Sequence, residues 1–308
     1  MYLTGIGDEA GALLDHQIAA TRALGWRSIE ARNVQVGEYP PANIHDLPDP
    51  AFERAVEKLE AAGVGVCCFG SAIANWGKRI TDPFDSSLAE ARRAIPRMRR
   101  LGTRLVRIMS FAVREESEDQ MEEERFRRLR ELTRMFLDAG LQPVHENCMN
   151  YGGMGWPFAL KLLENVPGLQ WVWDTGNPLF NLDRSKPKPW SRQDPWEFYL
   201  KVKPWIAHVH VKDAIWDAAR QEAVYTWPGE GHGQVRAVLK DLLAGDYAGG
   251  ISLEPHMAAV FHDPTVKAAP AEAQYANYVE YGRRLEALVA EVRAELKPTH
   301  GSGVEQDV

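Results

Sequence analysis

The stretch Ile206-Ala207-His208-Val209-His210-Val211-Lys212-Asp213 alternates polar and apolar side chains. It reads as a short β-strand, with His208, His210 and Lys212 on one face and Ala207, Val209 and Val211 on the other. Two imidazoles and an ammonium on one face of an apolar strand are costly to bury without partners. Partners stand at the ends of three further runs: Leu141-Gln142-Pro143-Val144-His145-Glu146, Leu169-Gln170-Trp171-Val172-Trp173-Asp174, and Gly249-Gly250-Ile251-Ser252-Leu253-Glu254. Four strand-like runs thus each carry a metal-ligating residue at or near the end: Glu146, Asp174, His210 and Glu254.

The same alternation of short strand and longer helix fills the chain on either side of this stretch. Strands are expected over residues 3–6, 27–31, 65–69, 104–109, 141–146, 169–174, 206–213 and 249–254. Helices are expected over 13–24, 50–62, 85–101, 117–138, a stretch ending near 165, 194–202, 234–243 and 271–296, with Pro96 as a kink point in the third. Eight strand–helix units without a linker-like break predict one (β/α)8 barrel over 1–297 and a polar, disordered tail over 298–308. A doubly wound open sheet would need a phosphate-cradling glycine turn after the first strand. Gly5-Ile6-Gly7-Asp8-Glu9-Ala10 lacks the G-x-G-x-x-G spacing.

Composition narrows the function classes. Of 308 residues, 45% are hydrophobic and 26% charged, enough for a sizeable core in a soluble protein. A net charge of −7 argues against a nucleic-acid or anionic-membrane surface. No apolar run is long enough to span a bilayer and no secretory leader precedes the first strand, so a cytoplasmic protein is expected. Cys67, Cys68 and Cys148 form neither a disulfide framework nor a CxxC motif, and the adjacent Cys67 and Cys68 read as small core residues.

In a (β/α)8 barrel the carboxyl ends of all strands gather on one face, where active sites are built. Glu146, Asp174, His210 and Glu254 can converge there although they are far apart in sequence. Three carboxylates and one imidazole suit one divalent ion, Mn first, with Mg, Co or Zn as alternatives. A strand-end carboxylate alone is as well explained as a helix cap; four in succession at matching positions favour a metal site.

On these residues the chain resembles the xylose isomerase-like superfamily of TIM barrels, the sugar phosphate isomerases and epimerases. The likeness runs from strand one to strand eight. It is most specific in His145-Glu146-Asn147, Asp174-Thr175-Gly176-Asn177, His208-Val209-His210-Val211-Lys212-Asp213 and Glu254-Pro255-His256. The resemblance implies that Glu146, Asp174, His210 and Glu254 ligate one divalent metal. It also implies that Glu146 and Glu254 exchange a proton with the substrate. A sugar chelated through adjacent carbonyl and hydroxyl oxygens has an acidified C–H next to the carbonyl, because the enediolate is stabilised. Tagatose-type epimerases carry Glu, His and Arg where this chain has Gly152, Asn177 and Trp216. The trinuclear endonuclease branch needs a His at Asn177 and a further Asp-x-His, and neither is visible.

The expected activity is therefore proton transfer on a sugar or keto-sugar. The alternative is a lyase or deglycosidase that expels the aglycone of a 3-keto-glycoside through the same enolate. His145 is either a structural histidine or, in the lyase, a catalytic base. Asn177, His208, Lys212, His256 and Glu30 are candidate substrate contacts, with a second role open for His208 as a partner of the ligand His210. A homo-oligomer is compatible with this reading, as is a small partner subunit in a deglycosidase.

Overall fold

The computed structural model describes residues 1–259 and 268–297; the tail expected over 298–308 lies outside them. Eight parallel strands form the sheet: β1 (Tyr2–Gly5), β2 (Ser28–Ala31), β3 (Gly65–Phe69), β4 (Leu105–Arg107), β5 (Gln142–Glu146), β6 (Gln170–Asp174), β7 (Ile206–Val211) and β8 (Gly250–Leu253). They pair in the order β1-β8-β7-β6-β5-β4-β3-β2. A parallel bridge between Ile6 and Glu30 joins β1 to β2 and closes the ring.

Helices α1 (Leu14–Ala23), α2 (Asp49–Ala62), α3 (Asp85–Leu101), α4 (Glu122–Asp138), α5 (Trp156–Asn165), α6 (Pro195–Val202), α7 (Val235–Ala244) and α8 (Ala271–Leu296) follow the strands in turn. The architecture is the expected (β/α)8 barrel. Gly63 and Gly102, at φ 64° and 67°, close α2 and α3 in the left-handed conformation that glycine adopts without cost. The third helix runs unbroken through Pro96. The fourth begins at Glu122, later than expected, because Gln120 folds residues 114–120 into a turn through bonds with the Arg114 and Ser117 backbone.

Parallel strands buried on both faces sort their side chains by alternation. On the outer face, Trp173 packs edge-on to Phe198 of α6, with ring centroids 5.4 Å apart. On the inner face, Cys68, Val144 and Val172 form an apolar plug. Above it, one residue pair further along, β5 and β6 present Glu146 and Asp174. The register sets Asp174 and Ser252 each opposite His210.

The loop expected after β7 is partly a hairpin, Asp213–Asp217 with Glu222–Thr226. Asp213 anchors it: its carboxylate accepts bonds from the backbone N–H of Gly229, Gly231 and Gly233 at 2.8–3.0 Å. Among the described residues, no helix is long and apolar enough to cross a membrane.

Candidate metal centre and active site

The four candidate ligands at the strand ends converge. One ligand atom from each of Glu146, Asp174, His210 and Glu254 lies within 4.8 Å of the others. All four side chains are buried, and Glu146 and Glu254 line a cavity of about 160 Å³ at the carboxyl end of the barrel.

Each ligand is held from behind. Asp174 Oδ1 accepts from the backbone N–H of Gly176 and Asn177, at 2.9 and 2.6 Å. Its Oδ2 has no hydrogen-bond partner although it is fully buried; Lys212 Nζ lies 3.2 Å away as a charge contact only. Glu146 places Oε2 on Arg107 Nη1 at 2.7 Å and Oε1 on the Asn177 amide at 3.0 Å. Glu254 places Oε1 on Arg32 Nη1 at 2.7 Å and Oε2 on Lys212 Nζ at 2.9 Å. His210 turns Nε2 to Glu30 at 3.0 Å and Nδ1 toward Glu146 Oε1 and Glu254 Oε2, at 3.4 and 3.8 Å.

The electrostatics follow from this packing. Burial works against the charge on Glu146 and Glu254. Arg107 and His210 at the first, and Lys212, His256 and Arg32 at the second, outweigh it and hold both below the usual carboxylate range. Asp174 goes the other way. Its burial outweighs the pull of Lys212, and Glu254 and Glu146 repel its charge, so its carboxyl is raised. Burial disfavours the charged form of His210, but Glu30 and Glu146 together raise it to about 10.

A divalent ion fits this set. The orphaned Asp174 Oδ2, two further carboxylates and an imidazole nitrogen face one small volume, and hard oxygen donors predominate.

The other expected contacts divide into two groups. Lys212, His256 and Asn177 line the cavity. His256 holds a left-handed backbone at φ 53° and is fixed to Glu9, with Nδ1 2.9 Å from Oε1. Gly176 is required beside Lys212: a Cβ there would lie 2.8 Å from the lysine Cγ.

Glu30, His208 and His145 do not line the cavity. Glu30 Oε2 gathers His208 Nε2, His210 Nε2 and the Ser252 hydroxyl at 2.8–3.0 Å, one layer below the ligands. His145 is turned outward by the strand alternation. It contacts Ser110 Oγ at 2.9 Å, stacks at 4.8 Å on Trp171, and is pushed by burial down to about 3.

Arg32 and Arg107, which brace the two glutamates, were not singled out in the sequence. Nor were Asp8 and Glu9, which pair with Arg32. The available signal was alternation: Arg32 follows Glu30 by two positions, and Arg107 ends β4.

The family described as xylose isomerase-like TIM barrel matches residues 18–284. This chain belongs to it. No curated protein sequence matches the chain. Among solved structures, a xylose isomerase-like TIM barrel protein from Mycobacterium smegmatis in complex with magnesium is similar at 17% identity and TM-score 0.64. That match covers 94% of this chain and 97% of the other. A D-tagatose 3-epimerase-like protein is similar at 16% identity and TM-score 0.67, covering 96% and 100%. The 3-keto-D-glucoside 4-epimerase of E. coli is similar at 15% identity and TM-score 0.59, covering 92% and 99%. At these identities the likeness is one of fold.

Proposed function

We propose that this chain is a divalent-metal-dependent isomerase or epimerase that moves a proton on the carbon beside the carbonyl of a sugar or keto-sugar. The observation that carries the reading is the convergence of Glu146, Asp174, His210 and Glu254 within 4.8 Å. Asp174, His210, Glu146 and Glu254 would hold the ion. Mn and Mg suit these donors best, Co and Zn next, and the magnesium-bound relative from Mycobacterium smegmatis supports a hard ion. When bound, the ion would polarise adjacent carbonyl and hydroxyl oxygens of the sugar and acidify the C–H between them.

The chain's own residues do the rest. Glu146 and Glu254 line the cavity in fixed orientations and in the charged form, so either is available to accept a proton from carbon, although the cations beside them weaken each as a base. Returning that proton to the neighbouring carbon isomerises the sugar with one carboxylate. Inversion needs a proton delivered to the opposite face, which the second glutamate, ionised here, would first have to take up from water. Lys212, His256 and Asn177 line the wall and orient the hydroxyls.

The test is exchange in heavy water. Manganese-loaded protein incubated with a ketose panel should incorporate deuterium beside the carbonyl with the carbon skeleton retained. Absence of exchange with every ketose, together with no metal uptake, removes the reading.

The elimination reading also has a supporting observation. The 3-keto-D-glucoside 4-epimerase shares the fold, and a keto-glycoside can lose its aglycone after the same proton abstraction. With His145 outside the cavity, Glu146 or Glu254 would be the base. Release of 4-nitrophenol from a 4-nitrophenyl 3-keto-glucoside would select it. Nucleic acid is outside both readings. With a net charge of −7 and Asn177 where the endonucleases need histidine, an abasic duplex should be neither bound nor nicked.

A further inference from the structure

The cavity holding Glu146 and Glu254 does not end at the strand tips. It shares Trp76, Cys148, Met149 and Phe180 with a second hollow of about 400 Å³, against about 160 Å³ for the inner one. Pockets that enclose drug-sized ligands run to roughly 300–1,000 Å³. The inner cavity falls short of that range and the two together reach it. We propose that the second hollow is a subsite for a flat, apolar substituent on the sugar, an aryl aglycone, so that the substrate of the site proposed above is an aryl keto-glycoside. The inference rests on that reading for the reacting ring and on the shared wall for the substituent.

The chemistry of the wall selects the occupant. A second sugar ring needs directional donors and acceptors, and the four shared side chains offer almost none. Of the hollow's other polar side chains, Asn150 is bonded to Ser110 and the Glu146 carbonyl and Glu115 pairs with Arg184, leaving the Asn181 amide. Trp76 and Met149 are 38% and 37% exposed, large apolar side chains facing solvent beside a charged site. An indole and a thioether are suited to the face and edge of an aromatic ring. The Cys148 thiol, on the wall of both hollows, adds a small, polarisable surface.

The cations at the far end are already engaged. Arg192 lies 3.6 Å over the Trp216 ring and bonds the Phe180 carbonyl; Arg184 lies 4.7 Å over Trp190 and pairs with Glu115. Cys148 and Met149 follow Glu146 within the same loop, so a substituent held there lies next to the reacting carbons.

The test uses unreactive glucosides, which carry no ketone, and therefore does not depend on turnover. Calorimetry of the full chain, with manganese and after chelation, would compare 4-nitrophenyl β-glucoside, methyl β-glucoside and methyl β-cellobioside. The aryl glucoside should bind about tenfold or more tightly than the methyl glucoside in both states. In the double variant Trp76→Ala/Met149→Ser that advantage should fall below about threefold, while Leu200→Ser, an exposed apolar position elsewhere, keeps it. Equal aryl and methyl affinity overturns the proposal, as do tighter cellobioside binding, no binding of any of the three, and an advantage that survives the double variant with its melting temperature unchanged. An aryl preference without metal uptake or exchange would count against the metal-dependent reading and leave the subsite standing; exchange without an aryl preference would do the reverse.

Discussion

Glu30 Oε2 lies 3.0 Å from His210 Nε2, and this contact turns the other ring nitrogen, Nδ1, toward Glu146 and Glu254. A carboxylate behind a ligating histidine fixes its ring and tautomer and strengthens it as a donor. Glu30→Gln keeps the size but removes the charge. Manganese affinity measured by calorimetry should fall about 10–100-fold. Unchanged affinity would mean that His210 is oriented by Glu146 alone.

Metal binding and proton transfer should separate at Glu254 and Asp174. Glu254→Gln keeps an oxygen for the ion and loses the proton acceptor, so occupancy should fall modestly while exchange drops by ~10²–10⁴. Asp174→Asn should lose metal affinity first and recover at high manganese, because Asp174 contacts Lys212 and does not line the cavity. Near-wild-type exchange in Glu254→Gln at saturating metal would remove the two-carboxylate mechanism.

His145→Ala tests the rival base. The ring is fully buried against Trp171 and Ser110, so its loss should cost on the order of 2–4 kcal/mol of stability in denaturant unfolding. Exchange or aglycone release per folded molecule should stay within a few-fold of wild type. Abolished turnover at full metal occupancy and an unchanged melting temperature would return His145 to the chemistry.

The barrel and the convergence of its four candidate ligands were legible because each rests on a repeated local pattern. Glu146, Asp174, His210 and Glu254 stand at matching ends of apolar runs, and the periodicity that makes those runs strands also fixes which face each ligand takes. Position along the strand sets His208 two residues deeper than His210, but it did not give the depth of Glu30, which lies in the same lower layer bonded to His208. Depth depends on stagger between strands, including the register shifts at Ile29/Glu30 and Trp171/Val172, which no single strand encodes. Arg32 and Arg107 stayed hidden for a related reason: an isolated arginine at a strand end has the same local signature as a surface residue. Their partners, Glu254 and Glu146, lie 222 and 39 positions away. The hairpin after β7 was missed because Asp213 reads as the end of the strand, whereas its carboxylate in fact organises the glycines at 229, 231 and 233.

Gly152 bears on how the chain differs from tagatose-type epimerases, which carry a glutamate at that position. Grafting it back by Gly152→Glu looks from the sequence like a route to epimerase activity. The fold forbids it. A Cβ on Gly152 would lie 2.4 Å from His145 Cε1, and His145 is pinned between Ser110 and Trp171. Even Gly152→Ala should therefore destabilise the protein by about 1–3 kcal/mol through overpacking, read as a lowered denaturant midpoint. Because the clash is with one ring, the effect should not add to that of His145→Ala. In the double variant the alanine methyl enters space that the imidazole has left, and a double-mutant cycle should return a favourable coupling of about 0.5–3 kcal/mol. Additive costs would show that Gly152 is required by the backbone of the 148–153 turn, where Gly153 already approaches the Cys148 carbonyl too closely for any side chain.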